Sequence, residues 1–303
     1  MVSIIASPSL RGIIVSKVTI AMSFYNDEKT LAIAIKSILY QSYSDWNLIL
    51  LDDGSTDDSL KVAREFKDSR ICVYSDGINK GLAPRLNEIV HMAKGKYIAR
   101  MDADDIMHPE RLKLQVEYLD KHKDIDVVGT EAYSVDRHNR ILGKRMMKPI
   151  PQKMADVFKG SIFIHPTIMG KRTWFENNLY EEGVWAVRAE DYELWCRSFR
   201  NSKFAVISSP LLFYRETSSL EKDINNYLKS YNSMMNVIDR TGLELPYWKK
   251  INLKIRNKIK CTLYFIVYKV GIAHLLLSRR YEGISVTEKM KMEKLIECIE
   301  KYV

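Results

Sequence analysis

Four short apolar runs fix what this chain can become. Val18–Met22 (VTIAM), Trp46–Leu51 (WNLILL), Ile71–Tyr74 and Tyr97–Met101 are strand-length, and stretches with helical apolar spacing separate them. Strand and helix signals that alternate in this way mark a parallel sheet with helices on its faces. The helical faces are Leu31, Ile35, Ile38 and Leu39; then Leu60, Ala63 and Phe66; then Leu82, Leu86, Ile89, Val90 and Ala93, stopping at Gly95; and last Leu112, Val116 and Leu119. Asn26–Asp27 reads as a cap for the first helix, Ser55 or Thr56 for the second, and Pro109 as the first residue of the fourth. Ile125–Val128 closes the run. The stretch 141–214 is irregular, with a helical pattern only at 191–199, and from Leu220 onward the signals are helical.

In an open parallel sheet, ligands gather outside the carboxyl ends of the strands. Three of these ends are polar: Ser23-Phe24-Tyr25-Asn26, Asp52-Asp53-Gly54-Ser55 and Asp102-Ala103-Asp104-Asp105. The first strand is followed by no G-x-G-x-x-G, and no G-x-x-x-x-G-K-[ST] occurs, so neither a dinucleotide fold nor a P-loop is indicated. Asp102 and Asp104 flank one residue after an apolar strand, which suits a hard divalent cation that shares carboxylate oxygens with substrate phosphates.

At this point the chain resembles the family 2 glycosyltransferases. The matching stretches are VTIAMSFYND (18–27), SILYQSYSDWNLILLDDGSTDDS (37–59), NKGLAPRLNE (79–88), AKGKYIARMDADDIMHPERLKLQ (93–115), HPTIM (165–169) and AEDYELW (189–195). The resemblance implies a GT-A fold: an α/β, Rossmann-like nucleotide-binding mixed sheet flanked by helices, followed by a helical C-terminal region. It divides the chain into an extension (1–17), a catalytic domain (18–219, with a nucleotide-sugar half at 18–130 and an acceptor half at 131–219) and a basic region at 220–303. It also implies roles for single residues. Tyr25 would stack on uracil, Asp53 would accept from its N3–H, and Ser23 would line the same pocket. Asp104 would hold Mn²⁺ or Mg²⁺ bridging the diphosphate, and Asp102 would touch the ribose or the metal. In the Glu190–Asp191 pair, Asp191 would be the general base. Other roles stand beside these: Asp53 and Asp191 as helix N-caps, Tyr25 as a packed strand-end aromatic, His165 as a pocket wall, a late metal contact or a structural histidine, and Arg85 as a phosphate contact or a solvated side chain.

Charge separates the two ends of the chain. The formal net charge is +9, and residues 220–303 hold 16 Lys/Arg against 9 Asp/Glu, a net of +7. From Lys249 to Arg280 there are nine basic residues and no acidic one, interleaved with apolar side chains. Such a segment is drawn to anionic lipid headgroups. An ordinary helical hairpin with a solvated basic face is the alternative. Nucleic acid is not expected as a partner, since no aromatic-bearing RNA motif accompanies the charge. Cys72, Cys196, Cys261 and Cys298 form no C-x-x-C pair, which argues against a zinc site or a disulfide framework. The N-terminus is a poor signal peptide, and no stretch reaches ~18 uncharged apolar residues, so no transmembrane helix is expected.

The expected function is therefore an inverting, non-processive transfer of a hexose (glucose, galactose or an N-acetyl form) from a UDP-sugar to a polyprenyl-diphosphate-linked sugar. It would form a β linkage in bacterial O-antigen or capsule assembly, with the enzyme peripheral on the cytoplasmic face of the inner membrane. A metal-dependent nucleotidyltransferase would need a glycine- and lysine/arginine-rich first loop, which SFYNDEKT is not. A non-catalytic glycan- or lipid-binding protein would have no use for both acidic motifs.

Overall fold

The computed structural model describes residues 16–216, 220–242, 245–270 and 281–302. The extension up to residue 15 and the end of the basic segment, 271–280, lie outside them. Four parallel strands carry the first half: β1 (Val18–Phe24), β2 (Trp46–Asp52), β3 (Ile71–Ser75) and β4 (Tyr97–Arg100). They stand in the order β3-β2-β1-β4. Every residue of β2 is buried and β1 is nearly so, because helices cover both faces of a parallel sheet. The helices α1 (Leu31–Leu39), α2 (Ser59–Glu65), α3 (Leu82–Met92) and α4 (Arg111–Lys121) cross between strands. In α1 the buried Leu31, Ala34, Ile35 and Ile38 recur at helical spacing and pack with Ile20, Met22 and Leu48 of the strands.

The second half extends the sheet with mixed polarity. Beyond β4 come β8 (Met169–Lys171), antiparallel to both β4 and β6 (Val127–Val135), then β9 (Phe204–Arg215), parallel to β6, and the two-residue β5 (Ile106–Met107) at the edge. A hairpin strand, β7 (Ile141–Arg145), pairs with β6. Two short helices, α5 (Met154–Val157) and α6 (Arg172–Asn177), and the longer α7 (Glu190–Ser198) pack against this half. Trp174 and Trp195 stack at 6.1 Å between centroids, with Phe163 and Phe204 edge-on to Trp195. The sheet is thus mixed, with helices on its flanks, as expected. The twelve-residue β9 was not legible in the stretch read as irregular.

The helical end behaves in two ways. α8 (Leu220–Thr241) and α9 (Tyr247–Lys269) form a hairpin that reaches the core through Val237, Ile238 and Leu253. After residues 271–280 the chain returns, and α10 (Val286–Glu300) buries Met292, Ile296 and Ile299 against Ile106, Tyr133, Val135, Ile141 and Phe213. Ser285 caps α10 by accepting from the Glu288 N–H at 3.1 Å. Among the described residues, no helix is long and apolar enough to cross a membrane.

Three local expectations are corrected. Ser55 and Thr56 do not cap α2, which begins only at Ser59; the Asn26 N–H donates to Ser55 Oγ (3.1 Å) and the Thr56 N–H to Asn26 Oδ1 (2.8 Å). Asn26, at φ 57°, therefore ties the β1 loop to the β2 loop, while α1 starts at Leu31. The fourth helix starts at Arg111, not at Pro109.

Gly95 lies where the turn before β4 presses on β1. A Cβ there would come 2.6 Å from the Thr19 nitrogen and 2.9 Å from the Tyr97 oxygen. Backbone atoms in a paired sheet cannot move aside. Gly95→Ala is expected to cost about 1–3 kcal/mol, read as a lower urea midpoint at unchanged slope.

Candidate active site

β1 lies between β2 and β4, so the strand order reverses there and a crevice opens at the carboxyl ends. Phe24 pairs with Asp52, and the Asp53 N–H donates to the Phe24 carbonyl (2.9 Å), which sets Tyr25 beside Asp53 at that edge. Tyr25 is 46% exposed, so the alternative of a packed aromatic is not what the structure has. Ser23 is partly buried just before it.

Asp53 is buried and already well supplied with donors. Its carboxylate accepts from the Lys80 N–H (2.7 Å), the Gly81 N–H (3.0 Å) and Arg85 Nε (2.9 Å), and it does not cap α2. An ionised carboxylate offers about four acceptor positions, which leaves room for one more donor. The loop carrying Lys80 and Gly81 comes this close because Gly54 has φ 74°, and a Cβ there would lie 2.8 Å from the Ile78 carbonyl carbon. Arg85 is neither solvated nor free for phosphate. At 1% exposure it pairs with Asp53, with Asp76 (2.5 Å) and with Glu88 (2.8 Å), and it donates to the Ile78 carbonyl. The Arg85 hydrogen bond holds the Asp76 carboxyl well below the usual carboxylate range.

At the end of β4, the Met101 N–H donates to the Ala21 carbonyl and carries the strand's path on beside β1. Asp102, Asp104 and Asp105 follow, and a carboxylate oxygen from each lies within 4.8 Å of the others. Asp105, which sequence reasoning left out, is buried, and its Oδ1 accepts from the Arg215 N–H (2.9 Å). Arg215 Nε also donates to the Asp104 carbonyl (2.7 Å), so β9 fastens this loop from outside. Burial, and then the charges of Asp102 and Asp27, push the Asp104 carboxyl up to about 7. Burial and the charges of Asp104 and Asp102 push Asp105 well above the usual range. Three crowded carboxylates, with Asp104 and Asp105 raised in proton affinity, form a set that a hard divalent cation fits.

The Glu190–Asp191 pair opens α7, whose N-cap is Ala189, so Asp191 sits in the first turn and is not the cap. Ser161 Oγ donates to Asp191 Oδ2 (3.1 Å). Burial raises the Asp191 carboxyl; burial and then the Asp191 charge raise Glu190. His165 bonds through Nε2 to the Tyr180 hydroxyl (2.8 Å), and burial with the nearby Arg100 charge pulls its imidazole well down. The charge of Arg100 reaches both acidic groups. Its buried guanidinium pairs with Asp102, and its charge is felt at Glu190, Asp191, Tyr180 and His165. Arg100 escaped sequence reasoning, and Arg85 was singled out there for other roles. The signal for both was an arginine inside an otherwise apolar strand or helix face.

A model of the family "Glycosyl transferase family 2" matches residues 19–187, and the chain belongs to that family. It is a glycosyltransferase. EpsE of Bacillus subtilis is 40% identical over 187 residues, covering 60% of this chain and 66% of EpsE. The "UDP-Glc:alpha-D-GlcNAc-diphosphoundecaprenol beta-1,3-glucosyltransferase WfgD" of Escherichia coli is 28% identical over 223 residues, covering 73% of this chain and 85% of WfgD. Among solved structures, glucosyl-3-phosphoglycerate synthase of Mycobacterium tuberculosis, in complex with Mn²⁺, UDP-glucose and phosphoglyceric acid, shares the fold. Its TM-score is 0.51 at 18% identity, covering 75% of this chain and 80% of that one.

Two expectations follow. Arg85→Met would leave the Asp53 carboxylate buried without its cation, at a cost of about 3–5 kcal/mol, measurable by chemical denaturation. For Asp104, the folded value near 7 stands above the ordinary 3.8, so the protonated form is favoured by folding. The cation-free protein then loses stability as pH rises through that interval. Asp104→Asn should raise the melting temperature at pH 8 without divalent cation, change little at pH 4, and abolish the stabilisation that Mn²⁺ gives the parent.

Proposed function

We propose that the protein is an inverting, non-processive hexosyltransferase that moves a sugar from a UDP-sugar to a polyprenyl-diphosphate-linked sugar in bacterial surface-polysaccharide assembly. The observation that carries this reading is the buried Arg100, which is ion-paired with Asp102 of the acidic cluster after β4 and whose charge also reaches the Glu190–Asp191 pair. One acidic set suits a diphosphate and its cation, and the other suits an acceptor hydroxyl.

In this reading Tyr25 and Ser23 line the uracil pocket, and Asp53, set by Arg85 and the Lys80–Gly81 backbone, accepts from the base. Asp104 and Asp102, with Asp105 behind them, hold Mn²⁺ or Mg²⁺. The bound cation supplies neutralisation of the negative charge that gathers on the departing UDP. Asp191 takes the acceptor hydroxyl proton as that oxygen bonds to C1 and the bond from C1 to the diphosphate oxygen breaks. Burial raises Asp191's proton affinity toward that of a working base, and the Ser161 hydroxyl fixes the orientation of its carboxylate. Attack from the face opposite the leaving group inverts the anomeric centre to a β linkage.

The choice of UDP draws on the UDP-glucose complex of the solved relative, and the acceptor class on the printed activity of WfgD. An acceptor on a polyprenyl diphosphate places the work at the cytoplasmic face of the inner membrane, with the basic segment 249–280 holding the enzyme there. Nucleic acid has no part in it. The test is UDP release across a panel of UDP-hexoses with GlcNAc-diphospho-undecaprenol as acceptor. Turnover should vanish with EDTA and return with Mn²⁺. Asp191→Asn should keep donor affinity while the transfer rate falls about 10²–10⁴-fold; transfer at the parental rate would remove Asp191 as the base.

A further inference from the structure

α9 is mounted the wrong way round for a helix of a water-soluble domain. A surface helix normally turns its apolar stripe to the core and its charges to water. In α9 the residues that reach the core are Leu253 and the polar Asn257. The apolar stripe, Trp248, Ile251, Ile255, Ile259, Leu263 and Ile266, recurs every three or four residues and faces away from the protein. Trp248 is 60% exposed and Ile259 56%, values that single stray side chains reach but that six in one helical row do not.

The charges complete the pattern. At 100° per residue, Lys249, Arg256 and Lys260 fall along one side of the stripe, and Lys254, Lys258 and Lys269 along the other. No acidic residue occurs between Tyr247 and Val270. Lys254 also meets Asp239 of α8 at 2.6 Å, which helps hold the helix in this orientation on its partner. An apolar row bordered on both sides by cations matches the cross-section of an anionic bilayer surface, with acyl chains below and phosphates at the level of the helix flanks. A second copy of the chain is a poorer occupant, because two such helices face to face would oppose cation to cation.

We infer that α9 lies in the plane of an anionic phospholipid surface, with the row from Trp248 to Ile266 in the acyl region and the flanking lysines and arginine at the phosphates. This rests on the proposed membrane-side function only for its biological setting; the helix's orientation carries it independently. It assigns the segment a face and a depth, and makes the α8–α9 hairpin the element that fixes how the crevice is presented to a lipid-borne acceptor.

The test uses the full chain and sedimentation with vesicles of phosphatidylcholine alone or mixed with phosphatidylglycerol. The parent should bind the mixed vesicles, with a blue shift of tryptophan emission that is lost in Trp248→Phe, and should release as salt is raised. The triple variant I255S/I259S/L263S should bind at least about tenfold more weakly at an unchanged melting temperature, since none of these side chains is in the core. K249Q/K258Q/K260Q should weaken binding by about tenfold or more and flatten its salt dependence. Failure of the parent to bind the mixed vesicles, or equal binding by the triple serine variant, overturns the inference. So does a parental dimer in sedimentation velocity that the serine variant abolishes, which would make the stripe a contact between copies. Vesicle binding without sugar transfer to any lipid-diphosphate acceptor would instead sink the proposed function and leave this inference standing.

Discussion

The site depends on one ion pair. Arg100, at the last position of β4, pairs with Asp102 and sits within electrostatic reach of Glu190 and Asp191. Carboxylates brought together in a half-buried crevice repel one another and are penalised by desolvation, and a buried cation among them offsets part of both costs. The guanidinium has its own anchor: the neighbouring Arg111 donates to the Arg100 carbonyl (2.7 Å) and holds the backbone from which the side chain projects. The offset is incomplete, since Asp104, Asp105, Glu190 and Asp191 all keep raised proton affinity. In the proposed reading, that residual strain would be relieved by an incoming cation and by the proton of an acceptor hydroxyl.

A second buried arginine does comparable work around Asp53. Arg85 joins three carboxylates, from the loop after β2, the loop after β3 and α3 itself, so the Asp53 side chain is held in place by the fold alone. In the proposed reading, the two arginines set a rigid base-binding end apart from a charge-crowded reaction end. Pre-set geometry at the first lowers the ordering cost of binding. Strain at the second is relieved only when its ligands are in place.

The sheet was readable because parallel strands buried on both faces leave continuous apolar runs, and their ends stand out as Tyr25, Asp53 and Asp102. The acidic cluster and the Glu190–Asp191 pair were readable from their position after a strand and at a helix start. The arginine network was not, because Arg85 reaches Asp53 across 32 positions and Arg100 acts on α7 from 90 positions away. β9 was hidden by Ser208-Ser209-Pro210, which interrupts the apolar pattern in the middle of the strand, where its register against β6 shifts. Asn26 and Ser55 misled because a capping residue and a loop-to-loop clasp use the same side-chain chemistry, and only the fold decides which donor is near.

The return of α10 onto β5, β6, β7 and β9 changes what the helical end of the chain is. It is not an appendage that can be cut away at Leu220. The α8–α9 hairpin is an excursion between a sheet strand and a helix that seals the same sheet's edge. Deleting everything after β9 would strip the cover from Ile106, Val135 and Phe213 and expose an apolar wall. Replacing the excursion by a short bridge would leave that wall closed. The hairpin itself is seated in the main core through Val237, Ile238 and Leu253, so its outward face, and not its seat, is the part that can change while both walls stay covered.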